Sequence, residues 1–224
     1  MVTGPPDWWR GQVPADRPPP WVGREGATTG TVEEVDAPDI PLRDGLRPLH
    51  FFRAAVTDVQ VWLNAAHLTV QWSSFEGCHF RQRVRPVVGT DGFAAQGSFG
   101  NDPALYRGCT FERVRFRSMG GFSLGHARFE GCTFVNCRWE GHVADAADLL
   151  DNTFVGRMNG CVWVGRSRSD RYPEGRCNLL RGNDFTATEF TDNVAWRLDF
   201  PLADQHWPEG FTPLVDDRPD LGKR

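Results

Sequence analysis

The chain has 224 residues, 40% hydrophobic and 24% charged, with a formal net charge of −4. That length buries a sizeable core in one large domain or two small ones, and the near-balanced charge predicts neither a strongly basic surface for polyanions nor a strongly acidic one. No apolar run approaches the roughly 18 residues of a membrane span, and the N-terminus MVTGPPDWWRGQVPADRPPPW lacks the apolar segment of a secretory signal. The expected location is cytoplasmic, without membrane contact.

In chain order, residues 1–45 come first, with Pro5, Pro6, Pro14, Pro18, Pro19 and Pro20 set among Trp8, Trp9 and Trp21. Proline at this density excludes a regular helix or a central strand. Three tryptophans argue against a purely solvated tail. The stretch is expected to be an irregular arm or cap laid against the body of the protein.

Residues 46–200 are written in a five-residue beat. Ala65, Val70, Phe75 and Phe80 open it, and Phe111 and Phe116 resume it after an insertion at about 81–105. After a second slip at 117–122, Leu124, Phe129, Phe134, Trp139, Ala144, Leu149 and Phe154 form an unbroken run. The stretch 155–179 breaks the beat again, with the polar insertion GRSRSDRYPEGR inside 165–177, and Leu180, Phe185, Phe190, Ala195 and Phe200 close it. Two residues before most of these stands a smaller side chain, among them Cys78, Cys109, Cys132, Cys137, Asn152, Asn178, Asn183 and Asn193. A period of five fits neither an amphipathic helix at 3.6 nor a plain strand at 2. It fits a chain that turns a corner every five residues, with two side chains inward and three outward. Residues 201–224, with Trp207 and Phe211 before a polar tail, are expected to cap the far end.

The beat resembles the pentapeptide-repeat family, most closely in Asn183-Asp184-Phe185-Thr186-Ala187 and Thr188-Glu189-Phe190-Thr191-Asp192, more loosely in Cys132-Thr133-Phe134-Val135-Asn136 and Cys78-His79-Phe80-Arg81-Gln82. The resemblance implies an all-β fold, a right-handed quadrilateral parallel β-helix with four pentapeptides to the coil. Residues twenty apart then stack, Phe134 on Phe154 and Phe129 on Leu149. Coils about 4.8 Å apart pair their backbones as sheet strands do, and stability accumulates through the interfaces between neighbouring coils. The structural core is expected to include Phe75, Phe80, Phe111, Phe116, Phe129, Phe134, Trp139, Leu149, Phe154, Phe185 and Phe190, with Cys78, Cys109, Cys132 and Cys137 filling the space beside the rings.

The chemistry-bearing residues read as architecture. All six cysteines stand two residues before an apolar side chain, with no C-x-x-C, so neither a zinc site nor a catalytic thiol is indicated; reduced thiols packed as small hydrophobes are expected. His142 falls on an inward position as a packed core histidine. Asp145, Asp148 and Asp151 fall on outward positions and read as solvated charge rather than the carboxylate pair of a glycan-cleaving β-helix. No G-x-S-x-G, phosphate-loop or dinucleotide motif is present, and no cofactor or metal is expected.

RQRVR at 81–85 and RVRFR at 113–117 place Arg81, Arg83, Arg85, Arg113, Arg115 and Arg117 outward, a candidate surface for phosphate or an acidic protein. The expected function is therefore non-catalytic, through protein–protein contacts of the solenoid surface and its loops, with nucleic acid an improbable partner. The family resemblance adds one alternative, a DNA-mimicking protector of type II topoisomerases, against which the positive balance of residues 51–140 counts; a carbohydrate-active parallel β-helix is the other. An end-to-end dimer is compatible with either.

Overall fold

A computed structural model describes residues 34–35, 47–63, 66–82, 95–167, 175–191 and 193–213. Their inward side chains fall on four ladders of a parallel β-solenoid, the first two running from Val56 and Val61 to Leu180 and Phe185. The first face is a sheet of parallel strands, Ala55–Thr57, Ser74–Glu76, Ala104–Arg107, Ala127–Glu130, Asp148–Leu150 and Leu180–Arg181. Its inward residues are Val56, Phe75, Tyr106, Phe129, Leu149 and Leu180, all buried. The second face takes Gln60–Trp62, His79–Arg81, Thr110–Glu112 and the first halves of Thr133–Glu140, Thr153–Asn159 and Asp184–Phe190. Val61, Phe80, Phe111, Phe134, Phe154 and Phe185 point inward from it.

On the third face, Phe116, Trp139, Met158 and Phe190 follow one another in register. The strands Val143–Ala144, Val162–Val164 and Ala195–Arg197 make the fourth, with Ala144, Trp163 and Trp196 inward. No α-helix occurs among the described residues. The expected pairs twenty apart are present, Phe134 with Phe154 and Phe129 with Leu149.

Two local features convert the beat into this shape. The first is the corner between the first and second faces, where Asp58, Gly77, Gly108, Gly131, Asp151 and Gly182 all have φ between 54° and 63°. Only glycine enters that left-handed region freely, with asparagine and aspartate next. The glycine of FEGCHF and of FEGCTF is therefore the turn itself. The second feature is the aromatic stack on the second face. Ring centroids lie 5.0 Å apart for Phe80–Phe111, 4.8 Å for Phe111–Phe134, 4.8 Å for Phe134–Phe154 and 4.6 Å for Phe154–Phe185, all near parallel. Each such pair adds about 0.5–1.5 kcal/mol beyond the area it buries.

The structure departs from the sequence expectation in several places. Residues 95–105 belong to the solenoid rather than to an excursion: Gln96–Ser98 is a strand and Phe99, Ala104 and Leu105 are buried. Of the first 45 residues only Glu34–Val35 is described, and it is a strand parallel to Gln60–Val61; the rest of the expected arm lies outside the described residues. Near the end of the beat, Trp196 turns inward in place of Ala195: the left-handed corner at Asn193 (φ 66°) stands three residues before Trp196, as Gly160 does before Trp163, but three rather than two residues after the preceding inward residue, Phe190. Phe190 is only partly buried. Beyond Phe200, a single 3-10 turn, Leu202–Asp204, leads into Trp207 stacked on Phe185 at 5.2 Å and Phe211 stacked on Phe190 at 4.5 Å.

Candidate functional site

The reactive side chains are engaged in holding the coils together. At the first-to-second corner, one side chain per coil donates to the carbonyl of the inward residue one coil below. Cys78 donates to Val56 at 3.5 Å, Cys109 to Phe75 at 3.5 Å and Cys132 to Tyr106 at 3.4 Å. The carboxamides Asn152 to Phe129 (3.0 Å), Asn183 to Leu149 (2.9 Å) and Gln205 to Leu180 (3.0 Å) continue the same series. The next corner repeats the device, with Cys137 donating to Phe111 and Thr188 to Phe154.

These thiols are buried and free. Hydrogen bonding to the Cys109 thiol, then burial, holds the Cys78 thiol far above the ordinary range, and hydrogen bonding to Cys132 does the same for Cys109. Burial raises Cys137 strongly and pushes Cys161 up to about 11. A thiol that stays protonated is a poor nucleophile and metal ligand. Cys177 corrects the expectation for all six: it is exposed, as is Leu179 two residues on, and Asn178 and Leu180 take the inward positions. Among the described residues no group of three or more His, Cys, Asp or Glu side chains is placed to hold a metal ion.

His142 lies 1% exposed, edge-on against the stacked pair Phe116 and Trp139, ring centroids 6.1 and 5.7 Å away. Neither ring nitrogen has a hydrogen-bond partner, and burial lowers its pKa to about 3. The ring is neutral at pH 7 and serves as packing at the corner.

Asp148 corrects the reading of solvated carboxylates. Its side chain is 1% exposed and receives Arg128 Nε at 3.0 Å, Arg128 Nη2 at 2.9 Å, Arg176 Nη2 at 2.5 Å and the Leu179 amide at 2.9 Å. Arg176 comes from the 165–177 insertion, where Arg166–Ser167 pairs antiparallel with Arg176–Cys177 and folds back over the first face. Asp151 is an exposed corner residue and Asp145 accepts from the Ser167 hydroxyl.

The sequence-singled arginines divide between faces. Arg81 lies over Trp62 at 5.1 Å and meets Glu112 at 2.9 Å, and Arg113 meets the same carboxylate at 3.7 Å. Burial works to raise the Glu112 carboxyl, but Arg81, Arg113 and His79 outweigh it and hold it below its usual range. Arg115 stands on the third face beside Glu140 at 3.5 Å, and Arg117 is exposed. Arg83 and Arg85 lie outside the described residues. Arg138 and Arg157, which sequence reading passed over, stand in register with Arg115. They are 23 and 42 residues from it, so only the coil register brings them together.

No protein-family model, no curated protein and no solved structure matches this chain. Among the described residues no helix is long and apolar enough to cross a membrane.

Proposed function

We propose that this chain is a non-catalytic pentapeptide-repeat protein that acts by binding another protein through its outer surface and loops. The observation that carries the reading is the direction of its chemistry. Five of the six thiols, the carboxamides and His142 point inward, while the outward rungs carry arginine, glutamate and threonine on a rigid parallel scaffold. A rigid face with charged rungs and excursions at defined corners suits recognition. The Asp148 carboxylate, held by two arginines and a backbone amide, is not free to serve a glycosidic bond.

The test uses the full chain, affinity-tagged, as bait at physiological salt. A stoichiometric protein that re-forms the complex from purified components supports the reading. Turnover of a glycan by the purified chain overturns it, as does the lack of any protein that rebinds when purified.

A further inference from the structure

Opposite charges face one another along the outward columns of the first two faces. On the first, Glu76, Arg107 and Glu130 are in register and alternate in sign, with Arg107 Nε 2.8 Å from Glu130. On the second, Arg81 pairs with Glu112 at 2.9 Å. The third face breaks this rule: Arg115 is in register with Arg138, and Arg138 with Arg157. Like charges directly opposite in neighbouring strands oppose sheet formation, and this column stacks three before Glu189 follows in register with Arg157.

The carboxylates nearby do not neutralise it closely. Glu140 lies 3.5 Å from Arg115 and 3.8 Å from Arg138, and Glu189 lies 3.6 Å from Arg157. Arg138 and Arg157 have side chains 69% and 68% exposed, so their ion pairs are screened and weak, whereas Arg115 is half-buried and hydrogen-bonded to Glu140. Exposed Arg117 adds a further positive charge beside the strip.

We infer that the Arg115–Arg138–Arg157 column is the contact strip of the protein partner proposed above, and that it receives an acidic helix of that partner. The inference rests on that reading. Guanidiniums rooted about 4.8 Å apart match carboxylates three or four residues apart on a helix, whose roots are about 5–6 Å apart. Each guanidinium offers a planar fork to a carboxylate. Glu140 and Glu189 flank the strip and repel any anion alike, so only negative charge placed directly over the three guanidiniums is favoured. The net charge of −4 also disfavours nucleic acid at long range.

The probe is a fluorescent alanine-based helical peptide with glutamate at every fourth position over three turns. Its glutamine counterpart and a 20-base-pair DNA duplex are compared with it by anisotropy at physiological salt. The glutamate peptide should bind, the glutamine peptide should not, and Arg138→Ser with Arg157→Ser should weaken binding at least tenfold. Arg181→Ser, on the first face, should leave it unchanged. Undetectable peptide binding, an equal loss in Arg181→Ser, or tighter binding of the duplex overturns the inference. If the purified protein partner binds the double variant at full affinity, the strip is wrong while the interaction reading stands. If no protein partner exists at all, the interaction reading has failed.

Discussion

Asn152 and Asn183 hold the same corner in successive coils, and the Asn152 side-chain amide donates to the Asn183 side-chain oxygen at 2.9 Å. That oxygen also receives the Asn152 backbone amide, while the Asn183 amide reaches Leu149 and Gln205. The thiols below donate to one backbone carbonyl of the coil beneath; the carboxamides both donate and accept. The change from cysteine to asparagine to glutamine thus binds the C-terminal coils to the cap, since Gln205 also donates to Pro201. Asn183→Ala takes the acceptor from two buried Asn152 N–H groups and the side-chain donor from the Leu149 carbonyl. It should cost at least about 2 kcal/mol, at 1–3 kcal/mol per unmet group, read from the urea midpoint at unchanged m-value. A loss below about 0.5 kcal/mol would show that the ladder carries no stability.

Phe134 and Arg138 lie four residues apart with opposite roles. Phe134 is fully buried, stacked between Phe111 and Phe154, whereas Arg138 is mostly exposed. Phe134→Ala should cost about 3–5 kcal/mol through lost burial and the cavity left behind, and Phe134→Asp should unfold the chain by placing a charge in the stack. Arg138→Asp should stay within about 0.5 kcal/mol of the parent. Equal stability of the Phe134→Asp and Arg138→Asp variants, compared by thermal melts, would overturn the inward and outward assignment.

Much of this was legible where the beat ran unbroken. From Leu124 to Phe154 the inward residues follow from spacing, and the resemblance to the pentapeptide-repeat family implied their twenty-residue pairing, because no excursion intervenes. Across the excursions spacing loses the register. Tyr106 stands five residues before Phe111 yet was missed, since a break in the pattern implied a loop there. Asp148 occupies an outward position, and only the returning strand with Arg176 covers it. The arginine column was hidden for the same reason: its members belong to different coils, and coil lengths vary. A better signal lies in the corner, where Gly-Cys or Gly-Asn precedes x-Phe at Gly77, Gly108, Gly131 and Gly182, and Asp151-Asn152 replaces it once.

The thiols should divide by exposure. Cys78, Cys109, Cys132, Cys137 and Cys161 are buried and Cys177 is exposed. Iodoacetamide at pH 8 should therefore modify the native chain once, at Cys177, and the denatured chain at all six cysteines without prior reduction. Intact mass followed by peptide mapping reads both. Rapid native labelling of Cys109 would contradict the packed corner, because a protonated, enclosed thiol reacts slowly.

His142 should make stability depend on pH. In the unfolded chain its imidazole titrates near the ordinary 6.5, whereas burial against Phe116 and Trp139 lowers its native pKa to about 3. Between those values the unfolded state binds a proton that the native state refuses. Its contribution is thus fully present above about pH 6.5 and declines as pH falls toward 3. At about 1.36 kcal/mol per pH unit, the loss at pH 5 is about 2 kcal/mol. Carboxylates add their own dependence, so the informative quantity is the difference between parent and His142→Leu. The variant keeps the apolar filling and removes the proton. Urea unfolding at pH 7.5 and pH 5 should show the parent losing about 2 kcal/mol more than the variant. Parallel losses would mean that His142 reaches solvent in the native state, and that the third-to-fourth corner is open.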